Sequence, residues 1–244
     1  MSGLLVITAM LVVLIPTTSS DALRHAETWD RSGEYHWICP GPDGSRNAEL
    51  LTMEIPVGDF QRSMMRDPPR TSTFFTSAPV HLIDSSDPYV LAVAEHIRSC
   101  TEGCSDLSRA TAALWFVQTA ILYTSDDALY GTEDRWASPL ETLYLGRGDC
   151  EDTSVLLCSL LGALGYGCVL MDFDGHEGVG LEMDGRLLYC ETASDITSNP
   201  GQKDPSRWGG YVVWREGDSF GPGGAFASAL FAWRELTDRV AGAL

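Results

Sequence analysis

The 244-residue chain is long enough for one sizeable domain with its own core or two small ones, and one is expected. Hydrophobic content of 44% and charged content of 20% are globular values that exclude global disorder. A formal net charge of -18, with a pI near 4.4, argues against nucleic acid as a partner. Lys203 is the single lysine, a bias that fits solubility in a salty medium or genome base composition equally well.

Gly3 to Pro16 form one uncharged apolar run, followed by Thr17-Thr-Ser-Ser-Asp-Ala22. The run is short for a spanning helix and right for a signal-peptide core, so residues 1–22 are expected to direct export, ending outside the cell or at its surface. An uncleaved membrane anchor is the alternative, because no positive residue precedes the run. The rest of the chain, 23–244, is expected to be a single domain. Seven cysteines are an odd number for an exported chain and flag one free thiol. Cys100 and Cys104 sit close enough to close a small loop. A disulfide or two free thiols rank above zinc for that pair, since no second CxxC or finger-spaced Cys/His pair accompanies it.

Glu34 to Phe60 read as a hairpin, with strands at 34–38 and 48–55 around the turn Pro40-Gly-Pro-Asp-Gly44. Arg62 to Ser77, containing Pro68-Pro69, reads as a surface loop. Asp84-Ser-Ser-Asp-Pro88 caps a helix whose apolar positions are Val90, Leu91, Val93, Ala94 and Ile97. A second helix, Asp106 to Tyr123, is apolar on most faces and should be central. Gln118 is out of place in it, as an oxyanion donor or as a capped or solvent-facing glutamine. Ser125 to Trp136 is acidic and irregular.

Gly146 and Gly148 break the pattern before Asp149, a good N-cap. Helical spacing of Val155, Leu156, Leu157, Leu160, Leu161 and Leu164 then runs to Gly165, which ends it. Cys150 is therefore a first-turn residue, where the helix dipole and unpaired backbone N–H groups favour thiolate. Tyr166 to Phe173 reads as an apolar strand. His176 to Met183 alternates, Asp184-Gly185 is a favoured two-residue turn, and Arg186 to Thr192 returns. Closing the ladder at that turn pairs Met183 with Arg186, Leu181 with Leu188, Val179 with Cys190 and Gly178 with Glu191. Val179, Leu181, Met183, Leu188 and Cys190 then share the core face; His176, Gly178, Gly180, Tyr189 and Glu191 share the other. His176 and Glu191 emerge diagonally one row apart, within side-chain reach, with Gly178 leaving the space between them open. A strand is expected at Gly210 to Trp214, a glycine-rich turn at 217–224 and a last helix at 225–244.

Cys150, His176 and Glu191 thus supply a nucleophile, a base and an orienting carboxylate, with backbone N–H groups at the helix mouth for an oxyanion. The segments Pro139-Leu-Glu-Thr-Leu143, Gly148-Asp-Cys-Glu-Asp-Thr-Ser154, Leu160-Leu-Gly-Ala-Leu-Gly-Tyr166, His176-Glu-Gly-Val-Gly180 and Tyr189-Cys-Glu-Thr192 resemble the transglutaminase-like superfamily, in particular its prokaryotic cysteine peptidase domains common in archaea. Trp115-Phe-Val-Gln118, Tyr123 and Asp126 extend the resemblance, which spans about residues 115–192. It implies an α+β, papain-like core in which a helix with an N-terminal Cys packs on an antiparallel sheet. It also implies a Cys-His-Asp triad; here Glu191 stands in place of the usual Asp, and Glu177 where a small residue is common. The expected activity is thiol-dependent hydrolysis of amide bonds in peptides, proteins or cell-envelope polymers through an acyl-enzyme, with no cofactor and no metal. The alternatives are acyl transfer by the same triad, a catalytically silent binding domain of the same fold and, most distantly, a metal site built from Cys150, His176 and Glu191.

Overall fold

The computed structural model describes residues 31–65, 80–132, 134–193 and 197–216. The expected export segment, the Pro68-Pro69 stretch, the glycine-rich turn and the last helix lie outside the described residues. Strands β1 (Arg31–Pro40) and β2 (Arg46–Ile55) form the expected N-terminal hairpin, with Ile38 opposite Ala48. Tyr35, Trp37 and Cys39 alternate inwards from β1, the period that an antiparallel hairpin covering a core requires. The hairpin is shorter than expected at its end. Val57–Met64 coil into a helix, α1, that drives Phe60 onto Tyr144 with ring centroids 4.2 Å apart. At eight residues, α1 is too short for a helical period to be legible.

Helix α2 (Pro88–Cys100) begins where expected, with the Asp87 carboxylate accepting from the backbone N–H groups of Tyr89 and Val90. Val90, Val93, Ala94 and Ile97 are buried, whereas Leu91, expected among them, points to solvent. Helix α3 (Asp106–Ala120) is central, as its composition predicts, but it stops short of Tyr123. The chain turns extended at Ile121, and strand β3 (Leu122–Tyr123) pairs in parallel with strand β4 (Arg147–Gly148). Two ladder bonds, Leu122 N–H to the Gly146 carbonyl and Thr124 N–H to that of Gly148, decide the boundary. The acidic stretch after Ser125 contains a short helix, α4 (Asp126–Tyr130). Helix α5 (Pro139–Leu145) follows, opened by a reciprocal cap between Ser138 and Glu141.

Helix α6 (Cys150–Leu164) is the axis of the core. Val155, Leu156, Leu157, Cys158, Leu160 and Leu161 are all buried, because α2 and α3 pack on one side of it and a sheet packs on the other. Gly165, at φ 92°, ends it in the left-handed conformation expected of a C-cap glycine. The sheet comprises β5 (Gly167–Phe173), β6 (His176–Met183), β7 (Arg186–Cys190) and β8 (Tyr211–Trp214), in the order β7-β6-β5-β8 with every pair antiparallel. The β6–β7 register is the expected one from Met183–Arg186 to Val179–Cys190, where the ladder ends; Gly178 and Glu191 lie just beyond it. Val179, Leu181, Leu170 and Cys190 face α6. The opposite face holds a second apolar cluster of Val169, Met171, Phe173, Tyr189 and Val213. The architecture is therefore α+β, a helix with an N-terminal Cys packed on an antiparallel sheet.

All seven cysteines are free thiols. Among the described residues, no helix is long and apolar enough to cross a membrane. Truncating the fully buried Leu156 to Ala should cost about 2–5 kcal/mol, read as a lower denaturation midpoint at unchanged slope.

Candidate active site

His176 opens β6, directly after the Asp174-Gly175 turn, and is buried. Glu191 follows β7 and is 2% exposed. His176 Nε2 lies 3.1 Å from Glu191 Oε1, so two residues placed on one face by strand parity meet as a hydrogen-bonded pair. The Tyr189 hydroxyl sits 3.2 Å from the same Nε2 and donates to Glu191 Oε2 at 3.1 Å. The neighbours of Nε2 are acceptors, so that nitrogen carries the proton and Nδ1 is the basic one. Two more donors satisfy the carboxylate: the backbone N–H of Ala193 at 3.2 Å and Arg207 Nη2 at 3.0 Å. Burial alone would raise Glu191, but the hydrogen bond and charge of His176 hold it below the usual carboxylate value.

Tyr189, Arg207 and Trp208 carry no role in the sequence reading. Tyr189 is on the right face of the expected hairpin, and that parity is the signal that could have found it. Trp208 stacks on the His176 ring with centroids 3.9 Å apart and planes at 23°. It lies in a 3₁₀ turn (Pro205–Trp208) between β7 and β8, where no periodicity announces it. The space that Gly178 was expected to leave open is filled by the Tyr189 ring. A Cβ at Gly178 would sit 2.5 Å from Tyr189 Cε2, so the glycine is needed for that ring to reach both His176 and Glu191.

Gln118 is not aimed at an oxyanion. Its Nε2 donates to the Glu191 carbonyl at 2.6 Å and to Ser198 Oγ at 2.9 Å, while its Oε1 accepts from the Ser198 N–H at 3.0 Å. The next residue, Thr192, is hydrogen-bonded to Thr153 and Ser154 in the first turn of α6. These bonds fix the Glu191 segment against the helix that carries Cys150.

Cys150 is the first residue of α6 and lines the same cleft as His176, a space of roughly 730 Å³ that also includes Tyr123, Trp136, Glu151 and Tyr211. Its thiol donates to Glu151 Oε2 at 3.1 Å and also meets the backbone N–H of Glu177, the residue after His176. Among the described residues no hydrogen bond joins the sulfur to the imidazole, and Nδ1 has no partner. The expected resting thiolate is overturned: burial first, and then the Glu151 carboxylate, push the Cys150 thiol far up. The helix dipole is outweighed because carboxylates crowd the helix mouth. Asp149 stands at the N-cap position but makes no capping bond. Glu177, the departure from the usual small residue, is buried, and burial together with Asp172 pushes its carboxyl well up.

Beneath the cleft, Asp126, Asp149 and Asp152 are buried, and each offers a carboxylate oxygen within 4.8 Å of the others'. One oxygen on each has no hydrogen-bond partner among the described residues. An all-oxygen donor set of this kind could hold a hard divalent cation. Without one, burial and then the Asp149 charge raise Asp126 to about 7, and burial and then the Glu151 carboxylate raise Asp149 to about 8, so both are largely protonated at mildly acidic pH.

No protein-family model and no curated protein matches the chain. Solved structures do. The chain is similar to LapG of Legionella pneumophila in an EGTA-treated form, at 14% identity and a TM-score of 0.39, over 52% of this chain and 76% of that one. It is similar to a candidate cysteine protease from Cytophaga hutchinsonii at 12% identity and a TM-score of 0.37, over 60% of this chain and 55% of that one. A protein described as a TGase aligns at 10% identity and a TM-score of 0.39, over 70% of this chain and 46% of that one. The chain thus spans about half the length of the last two. These are likenesses of overall architecture.

Two outcomes test the site as described. Gly178→Ala should displace Tyr189 and cost about 1–3 kcal/mol, seen as a lower Tm together with a changed Tyr189 environment in near-ultraviolet circular dichroism. The raised Asp126 and Asp149 carboxyls contribute stability that is full below pH about 4, where the unfolded chain is protonated too, and is lost as pH rises through about 7 to 8. In chelator-containing buffer Tm should therefore fall across that range, and Asp126→Asn should flatten the slope.

Proposed function

We propose that the chain is a thiol-dependent acyl-transfer enzyme that hydrolyses amide bonds with Cys150 as nucleophile, His176 as base and Glu191 as the group that orients the base. The observation that carries this reading is the buried Glu191 carboxylate 3.1 Å from His176, whose ring lines the same cleft as Cys150. Glu191 fixes the Nε2–H tautomer and leaves Nδ1 to accept the thiol proton. Because the resting thiol is protonated and held by Glu151, the thiolate forms on transfer to His176 rather than waiting ready-made. The sulfur then attacks the acyl carbon, and backbone N–H groups at the start of α6 receive the oxyanion. His176 returns the proton to the leaving amine, and water or a second nucleophile releases the acyl group from sulfur.

One observation favours a second reading, transfer to an amine. Asp134 and Asp174 line the cleft together with Asp149, Glu151, Asp172 and Glu177, whose carboxyls burial raises, and a cationic amine entering as acyl acceptor, or a basic peptide as donor, would draw this wall toward its charged form. Both readings share the triad and the acyl-enzyme. Export and action on cell-envelope or extracellular substrates belong to the same proposal, supported by the apolar run at Gly3–Pro16.

Cys150→Ala should reduce turnover of a basic peptide amide by about 10⁴-fold at a Tm within a few degrees of wild type, and Glu191→Gln by about 10²- to 10⁴-fold with a lowered Tm, because its buried donors lose a charged partner. An acyl-enzyme of the expected mass should be trapped on Cys150. Adding a primary amine separates the readings: new amide product marks transfer, and unchanged acid product marks hydrolysis. Full activity in Cys150→Ala would end the proposal.

A further inference from the structure

A second group of metal-binding side chains lies far from the triad in sequence, where the N-terminal hairpin rests on α2. Cys100 is at its centre. Its Sγ is 3.5 Å from His96 Nε2, is hydrogen-bonded to the Glu49 carboxylate, and is hydrogen-bonded to the Cys39 thiol. His96 and Cys100 are one helical turn apart on α2 and project from the same side. Glu49 comes from the inward-facing row of β2, and Cys39, which is 1% exposed, from that of β1. The donor atoms of Glu49, His96 and Cys100 all lie within 4.8 Å of one another.

We infer that Cys39, Glu49, His96 and Cys100 form a structural zinc site that fastens the hairpin to α2. The chemistry of the donors selects the metal: two thiols, an imidazole and one carboxylate are a set that zinc accepts in a four-coordinate shell, whereas calcium and magnesium require oxygen. The geometry agrees. Zinc–nitrogen and zinc–sulfur bonds of about 2.1 and 2.3 Å at a tetrahedral angle put the nitrogen and sulfur about 3.6 Å apart, against the 3.5 Å found here. Glu49, His96 and Cys100 already stand within ligand distance of one another, and Cys39, hydrogen-bonded to Cys100, would swing in as the fourth donor and leave no open position, which makes the site structural rather than catalytic. Binding releases the two thiol protons, and the thiolates, carboxylate and Zn²⁺ together carry one net negative charge.

The sequence hides this site because its donors arrive from three elements. The Cys100–Cys104 spacing draws the eye, while the pair that matters within α2 is His96–Cys100. A Cys39–Cys100 disulfide is the competing chemistry, but it leaves unexplained why an imidazole and a carboxylate converge on the same sulfur.

The full chain, purified under reducing conditions without chelator after growth in zinc, should contain one zinc per chain by elemental analysis. Cys150→Ala should keep the metal; His96→Ala and Cys39→Ser should lose it. Where either of those variants fails to fold, Glu49→Gln serves, a near-isosteric change expected to weaken zinc roughly ten- to a hundredfold in competition with a chromophoric chelator. Cobalt substitution should give a thiolate charge-transfer band and the intense visible bands of a tetrahedral centre. Zinc well below one per chain, zinc lost in Cys150→Ala, affinity unchanged in Glu49→Gln, or a Cys39–Cys100 disulfide in the zinc-free protein as purified would each overturn the assignment.

Discussion

A buried carboxylate must be surrounded by donors or give up its charge, and Glu191 organises this structure because it keeps its charge. It accepts from the imidazole of His176, the hydroxyl of Tyr189, the backbone of Ala193 and the guanidinium of Arg207. Each donor comes from a different place: the start of β6, the end of β7, the chain just after it, and the turn before β8. Gln118 on α3 holds the same residue by its carbonyl, and the first turn of α6 holds its neighbour Thr192. Satisfying one side chain thus ties the sheet, the central helix and the nucleophile-bearing helix together.

The helix mouth shows the opposite arrangement. There Asp149, Glu151, Asp152 and Asp126 are gathered with few donors, and three of them keep an oxygen without a partner among the described residues. Proton uptake by the carboxyls relieves the repulsion, as would a bound cation. The same crowding suppresses the thiolate that an isolated helix N-terminus would favour. A dipole of about half a charge cannot prevail against a formal carboxylate in contact with the sulfur and the loss of water around it.

This contrast explains how much was legible in the sequence. Strand parity around Asp184-Gly185 located His176 beside Glu191 and placed Cys190 against the core, because period two leaves one register in which both faces make sense. Helical spacing located α6 and put Cys150 at its start. The protonation state of that thiol was not legible, since it depends on Glu151 and on burial rather than on its position along a helix. Nor were Trp208 and Arg207, which reach the site from a short 3₁₀ turn with no period of its own. Gln118 looked anomalous in the sequence, and the anomaly was real; its partner Ser198 is 80 residues away and could not be inferred. The boundary of α3 and the helix α1 were missed for a related reason, as a two-residue β pairing and an eight-residue helix are settled by tertiary contacts.

Arg207 differs from the other donors to Glu191 in standing mostly in solvent, with 61% of its side chain exposed against 6% for His176. Dissolved ions reach the first and not the second, so brine weakens one half of the charge compensation and spares the other. As ionic strength climbs, the carboxylate depends more on the donors that solvent does not reach, the imidazole, the Tyr189 hydroxyl and the Ala193 N–H. Salinity would thus redistribute which donors hold Glu191, with no movement of the backbone.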